Sequence, residues 1–169
     1  MIKRKYVIGL ILVWGIVLIG FIAFKQCTLQ TGTEIMLKTV PVDPRDLFRG
    51  DYVVLRYDLN TIHLDSLLAD EGPYERDETI YVKLDNSSSY AKATQVSKNR
   101  FEEGLFIKGT VTYAGIQVLN VKYGIENYFV PQGTGKEIEK IIGDIDVIIA
   151  VDKQGNALIK SLQYEGKKL

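Results

Sequence analysis

Gly50-Asp51-Tyr52-Val53-Val54-Leu55-Arg56-Tyr57-Asp58 reads as an extended segment with two faces. Tyr52, Val54 and Arg56 alternate with Val53, Leu55 and Tyr57. That period of two puts successive side chains on opposite sides of a sheet. Gly50 permits a backbone angle that other residues resist, and Asp51 then opens the strand. Just upstream, Pro41-Val42-Asp43-Pro44-Arg45-Asp46 has the composition of a specified turn. The prolines fix its approach, and Asp43 and Asp46 can bond to nearby backbone.

Strand signals continue on both sides. Ile35–Val40 precedes the turn. Thr79–Leu84, Tyr90–Val96, Leu105–Tyr113 and Ile116–Tyr123 follow it, with a turn at Ala114-Gly115. Val147–Val151 and Ala157–Tyr164 flank Asp152-Lys153-Gln154-Gly155-Asn156, a hairpin connection. Counting 51–58, about eight strands are expected. Gly135–Gly143 breaks the pattern. Ile138, Ile141 and Ile142 share one helical face there, and Thr134 can cap the start. Leu64–Ala69 reads as a shorter helical turn. The fold class is mainly β: a small antiparallel barrel- or sandwich-like domain over 28–169 with one short helix.

The N-terminus is of another kind. Tyr6–Phe24 carries no charge and no proline, and its 19 residues approach the length that crosses a bilayer core. Lys3, Arg4 and Lys5 precede it and Lys25 closes it. The run is long for a signal peptide and no Ala-x-Ala site follows. Lys25 and Gln26 before Cys27 do not suit lipidation. Residues 1–27 are therefore expected to be an uncleaved single-pass anchor in the cell membrane. The basic flank places the N-terminus in the cytoplasm and the domain outside it. The polar stretch Gln26–Thr33 is expected to serve as a short stalk.

Charge and composition exclude several functions. The 21 basic and 21 acidic side chains balance, so nucleic acid held by bulk charge is not expected. Four basic residues and no acid fall in 1–25. The remainder therefore carries 17 basic against 21 acidic groups, a net of −4 that is not drawn to anionic headgroups. One Cys and one His leave little room for a metal cluster or a Cys–His pair, and no cofactor is expected. Asp144, Asp146 and Asp152 lack the spacing of a dedicated calcium loop.

The stretch around Gly50 resembles the GDYXXLXY family of bacterial membrane-anchored proteins. Gly50, Asp51, Tyr52, Leu55 and Tyr57 stand as its naming signature. Pro41–Asp46, Tyr123-Gly124-Ile125-Glu126-Asn127-Tyr128-Phe129-Val130-Pro131 and the helix start at Lys136–Glu139 are also similar to family members. The resemblance implies a single-span protein with no assigned reaction. It also implies a possible multi-pass membrane protein as partner.

Catalytic readings meet missing groups. Signal peptidases also use a glycine–aspartate pair at a strand start, but Val42 stands where their serine would be, and no serine lies between Thr33 and Gly50. His63 is the lone histidine, and a triad would need Ser87, Ser88 or Ser89 beside it. A small hydrolase or ligand sensor built on the Asp43–Tyr57 loop is the alternative reading. The leading one is a non-enzymatic domain that binds a membrane or envelope protein. Tyrosine, with ten copies, combines apolar area with a polar tip that suits recognition. It is equally a favoured strand residue. Arg45, Arg49 and Arg56 can clamp an anion or pair with Asp43, Asp46 and Asp58. The candidate binding residues are Asp43, Arg45, Asp46, Arg49, Asp51, Tyr52, Tyr57, Tyr123, Glu126 and Tyr128.

Overall fold

The apolar run of Tyr6–Phe24 forms the body of a helix, α1 (Arg4–Thr31), in the computed structural model, which describes residues 4–41, 52–70, 72–130, 138 and 141–169. Its large apolar side chains are exposed, Ile16 and Ile19 among them. A helix that is apolar all round and unburied has no place in water. This one is long and apolar enough to cross a membrane. It does not stop at Lys25 and yield to a stalk. It continues through Gln26–Thr31, and a single residue, Gly32, separates it from the first strand.

That strand, β1 (Thr33–Lys38), pairs antiparallel with β10 (Ile145–Val151), placing Ile35 opposite Ile149 and Leu37 opposite Val147. β11 (Ala157–Tyr164) returns along β10, and β12 (Lys167–Lys168) closes a four-stranded sheet. A second, six-stranded sheet has β7 (Phe106–Ala114) and β8 (Val118–Lys122) near its middle. β5 (Thr79–Asp85) and β6 (Lys92–Ser97) extend it on one side, with the two-residue β4 (Leu68–Ala69) at the edge, parallel to β6. β3 (Thr61–His63) forms the other edge, on β8. A short ladder joins β2 (Tyr52–Val54) to β9 (Asn127–Phe129).

Backbone bonds tie the sheets into a half-open barrel. Ala91 N–H donates to the Met36 carbonyl at 3.0 Å, and Lys108 N–H donates to the Gly155 carbonyl at 2.8 Å. One apolar cluster fills the inside, with Leu37, Val53, Leu55, Ile80, Val82, Ile107, Leu119 and Ile149 all buried. Burying each such side chain contributes roughly 1.5–3 kcal/mol.

Among the described residues the expected strands are present, the one at 51–58 shortened to Tyr52–Val54 because the chain leaves the ladder after Val54, with short additions at β3, β4, β9 and β12. Leu64–Ala69 divides into a 3-10 turn (Leu64–Ser66) and β4. Of the helix expected at Gly135–Gly143, Ile138 is helical and Ile142–Asp144 is a 3-10 turn, and the rest lies outside the described residues.

Candidate functional site

The signature strand turns its 53, 55, 57 face inward. Val53, Leu55 and Tyr57 are each about 1% exposed. After β2 the chain leaves regular pairing, but Leu55 N–H still donates to the Glu126 carbonyl at 2.7 Å and Tyr57 bridges to Thr39. Tyr57 therefore sits at a seam between the sheets. Its hydroxyl donates to the Ile125 carbonyl at 2.6 Å, and its N–H donates to Asn60 Oδ1 at 2.6 Å.

Asn60 extends the network. Its Nδ2 donates to the Val121 carbonyl at 2.8 Å and to Glu126 Oε1 at 3.2 Å. Glu126 accepts from the N–H groups of Tyr123 (2.6 Å) and Gly124 (2.9 Å), so its carboxylate holds the turn leading to β9. Tyr123 is buried and its hydroxyl donates to the Leu59 carbonyl at 2.8 Å. Gly109, in the middle of β7, makes room for that ring: a Cβ there would lie 2.9 Å from two of its atoms. Burial, then the charge of Glu126, pushes both phenols well above their ordinary range.

Tyr57 and Tyr123, two of the candidate binding residues, are buried, with their hydroxyls committed to backbone carbonyls, the strand-core side of the two roles weighed for tyrosine. A tyrosine inside a core needs such a partner. Glu126 is likewise bound to backbone. Tyr128 is half-buried, opposite Val53 and against the core. Tyr52 pairs through its backbone with Phe129, and its side chain is outside the description. Asp43, Arg45, Asp46, Arg49 and Asp51 lie outside the described residues. Arg56 is exposed and donates to Thr61 Oγ1 at 3.3 Å; among the described residues it forms no ion pair with Asp58. Asn60 and Gly109 were not among the candidates. An Asn two residues past a strand and a Gly inside one are their sequence signals.

The catalytic candidates are dispersed. His63 is exposed on β3, three strand spacings from β5 in the sheet, roughly 14 Å. Ser87, just after β5, gives its N–H and hydroxyl to the Asp85 carboxylate at 2.9 and 2.8 Å, and these bonds hold the Asp85 carboxyl below its ordinary pKa range. Ser88 donates to the Tyr90 carbonyl. Asp146 accepts from the Tyr90 hydroxyl at 2.8 Å, while Asp152 organises the β10–β11 turn at the opposite end of β10. Among the described residues no three His, Cys, Asp or Glu side chains converge as a metal site.

Two further surfaces bear on partner contact. One is an apolar end at the β7–β8 hairpin. Ile116 is 97% exposed and Tyr113 58%, beside a cavity of about 440 Å³ lined by Leu64, Pro73, Tyr74, Ala114 and Ile116. The other lies where α1 meets the domain. Thr28 is buried there, with its hydroxyl 3.4 Å from the Asp152 carboxylate.

A β-rich half-barrel with its signature tyrosine on a backbone carbonyl, carried on one apolar helix, is the class of protein defined by this geometry. The chain belongs to the GDYXXLXY protein family, which it matches over residues 14–162. No curated protein and no solved structure matches it.

Proposed function

We propose that this chain is a single-pass protein of the bacterial cell envelope that binds another membrane or envelope protein and catalyses no reaction. In this reading the N-terminus is cytoplasmic and the domain lies outside. The basic Lys3-Arg4-Lys5 flank supports that orientation.

The observation that carries the reading is the stiff join between helix and domain. α1 runs unbroken to Thr31, and one residue later the chain is in β1. A Cβ on Gly32 would lie 2.5 Å from the Thr28 carbonyl oxygen and 3.1 Å from Val151 backbone atoms. The joint is closed by packing. The faces of the domain are therefore held at set angles to the membrane, which matters when a partner in that membrane is met in one geometry. Tethering raises effective concentration, so a modest contact surface suffices.

The apolar hairpin end is the partner surface. Ala114 is six residues from Lys108 along β7, roughly 20 Å from the end near α1. Exposed apolar side chains grouped beside a cavity favour protein contact.

In-cell photocrosslinking tests this, with probes replacing Tyr113, Ile116, Arg45 and Arg49 one at a time. The expected result is one discrete adduct with a membrane or envelope protein. Folded, membrane-located protein that gives no adduct from any of the four positions would overturn the proposal.

A further inference from the structure

Three lysines from three elements converge beside the end of the apolar helix run. Lys25 is the first charge after Tyr6–Phe24. Lys108 on β7 and Lys122 on β8 share the outer face of the six-stranded sheet. Thr110 pairs directly with Lys122, and Lys108 is the diagonal neighbour two residues along. That places their Cβ atoms roughly 7 Å apart. All three lysines line a cavity of about 350 Å³ that Thr110, Gly124 and Asn156 help to complete.

The cavity has no carboxylate in its lining. Among the described residues none of the three lysines forms an ion pair, whereas Lys98 and Lys160 pair with Glu78 and Glu34. Lys25 Nζ lies 5.8 Å from the centre of the Phe21 ring, at the helix side of the hollow, and an anion held inside is attracted by the charge of all three lysines. A hydroxyl at Thr110 adds a hydrogen-bond donor. The domain as a whole carries net negative charge, so this basic hollow is a local feature that the net charge conceals.

We propose that this hollow binds the phosphate of an anionic phospholipid headgroup. The inference rests on the reading of α1 as a membrane span. Lys25 immediately follows the span, so the cavity it lines lies at headgroup depth. A lipid phosphate is the anion present there at high local concentration. Each lysine held at an anionic surface is worth about fivefold in affinity.

The test uses the full chain in vesicles of phosphatidylcholine alone or of phosphatidylcholine with phosphatidylglycerol. A membrane-impermeant acylating reagent labels exposed lysines, and mass spectrometry reads each one. Lys108 and Lys122 are expected to label about fivefold more slowly in the anionic vesicles. Lys98 and Lys160 should not change. In a K108Q/K122Q variant, the protection of Lys25 should fall away. Equal labelling in both vesicles, or equal slowing of every lysine, would overturn the proposal. So would the same protection in neutral vesicles on adding inorganic phosphate, which would assign the hollow to a soluble anion. Alkaline extraction reports separately on the span. A chain released by carbonate defeats the span reading and this proposal with it, while a retained but unprotected chain defeats only this proposal.

Discussion

The hydroxyl of Thr28, in the last turns of α1, lies 3.4 Å from the carboxylate of Asp152, 124 residues away in the β10–β11 turn. Asp152 also accepts from Gln154 N–H, Asn156 N–H and Asn156 Nδ2 at 2.8–2.9 Å. One side chain thus shapes the hairpin turn and touches the helix that the turn packs against. The Thr28 proton is shared with the Phe24 carbonyl, also at 3.4 Å, so the cross-link itself is weak.

The two ends of this contact should therefore behave unequally. Asp152→Ala removes the anchor of the turn and should cost about 1–3 kcal/mol. Thr28→Val keeps the shape of the side chain and should cost under about 0.5 kcal/mol. A double-mutant cycle should give a coupling near 0.5 kcal/mol. Denaturant unfolding in neutral detergent measures all three. Equal costs at both positions would place the strength of the joint in the Thr28 bond.

Tyr57 offers a pH test. Tyr57→Phe leaves the ring in place but strips the donor from the Ile125 carbonyl, a loss of about 1–3 kcal/mol. Tm should fall by roughly 3–10 °C. Burial, reinforced by the charge of Glu126, raises the folded-state pKa of both Tyr57 and Tyr123 above the ordinary value of 10.0. The folded chain then holds protons that the unfolded chain gives up above about pH 10. Stability from these phenols is complete below pH 10 and is lost as pH rises beyond it. Each contributes a slope of about −1.4 kcal/mol per pH unit there. Tyr57→Phe should remove one such slope. Unfolding free energies between pH 8 and pH 11 measure it, and an unchanged slope would mean that the phenol ionises without unfolding.

Glu126 separates a structural role from a ligand-binding one. Its carboxylate receives two backbone N–H groups and the Asn60 amide, and such charge-assisted bonds are the stronger kind. Glu126→Gln presents an NH₂ where donors converge and should lower stability by about 1–2 kcal/mol, with Glu126→Ala lower still. Asn60→Ala should resemble Glu126→Ala, because it opens the same network. Thermal melts of the three variants check the order. Variants that all melt with the parent chain would return Glu126 to the list of surface binding groups.

The period-two pattern from Val53 to Tyr57 was readable because alternation records a local fact, which face each residue takes. The uncharged run from Tyr6 to Phe24 was readable for the same reason, since length and polarity are local. Tyr57 and Tyr123 were ambiguous because a phenol suits either a surface or a core. The deciding partners, the Ile125 and Leu59 carbonyls, are more than 60 residues away in sequence. Gln26–Thr33 read as a stalk because it is polar. Its first six residues are helical, and Thr28 among them is buried beside the β10–β11 turn, a contact that no local pattern records. β4 has two residues, and its parallel pairing with β6 is likewise non-local.

The hairpin turn that meets α1 also meets β7, and two glycines can weigh that contact. Gly155 has φ +84°, a conformation that costs an L-residue about 1–2 kcal/mol. Gly166 has φ +74° and so carries a similar backbone strain on substitution. Their surroundings differ. A Cβ on Gly166 meets nothing within 4 Å, whereas one on Gly155 would lie 2.9 Å from the Phe106 ring and 3.0 Å from Lys108 N. Gly155→Ala must therefore push the turn away from β7 and stretch the Lys108 N–H bond to the Gly155 carbonyl. It should cost at least ~1 kcal/mol more than Gly166→Ala. Denaturant titration of the two variants isolates this difference, because the backbone strain is common to both. Equal destabilisation would show that the hairpin is not held against β7, and the stiff join between helix and domain would lose its support on that side.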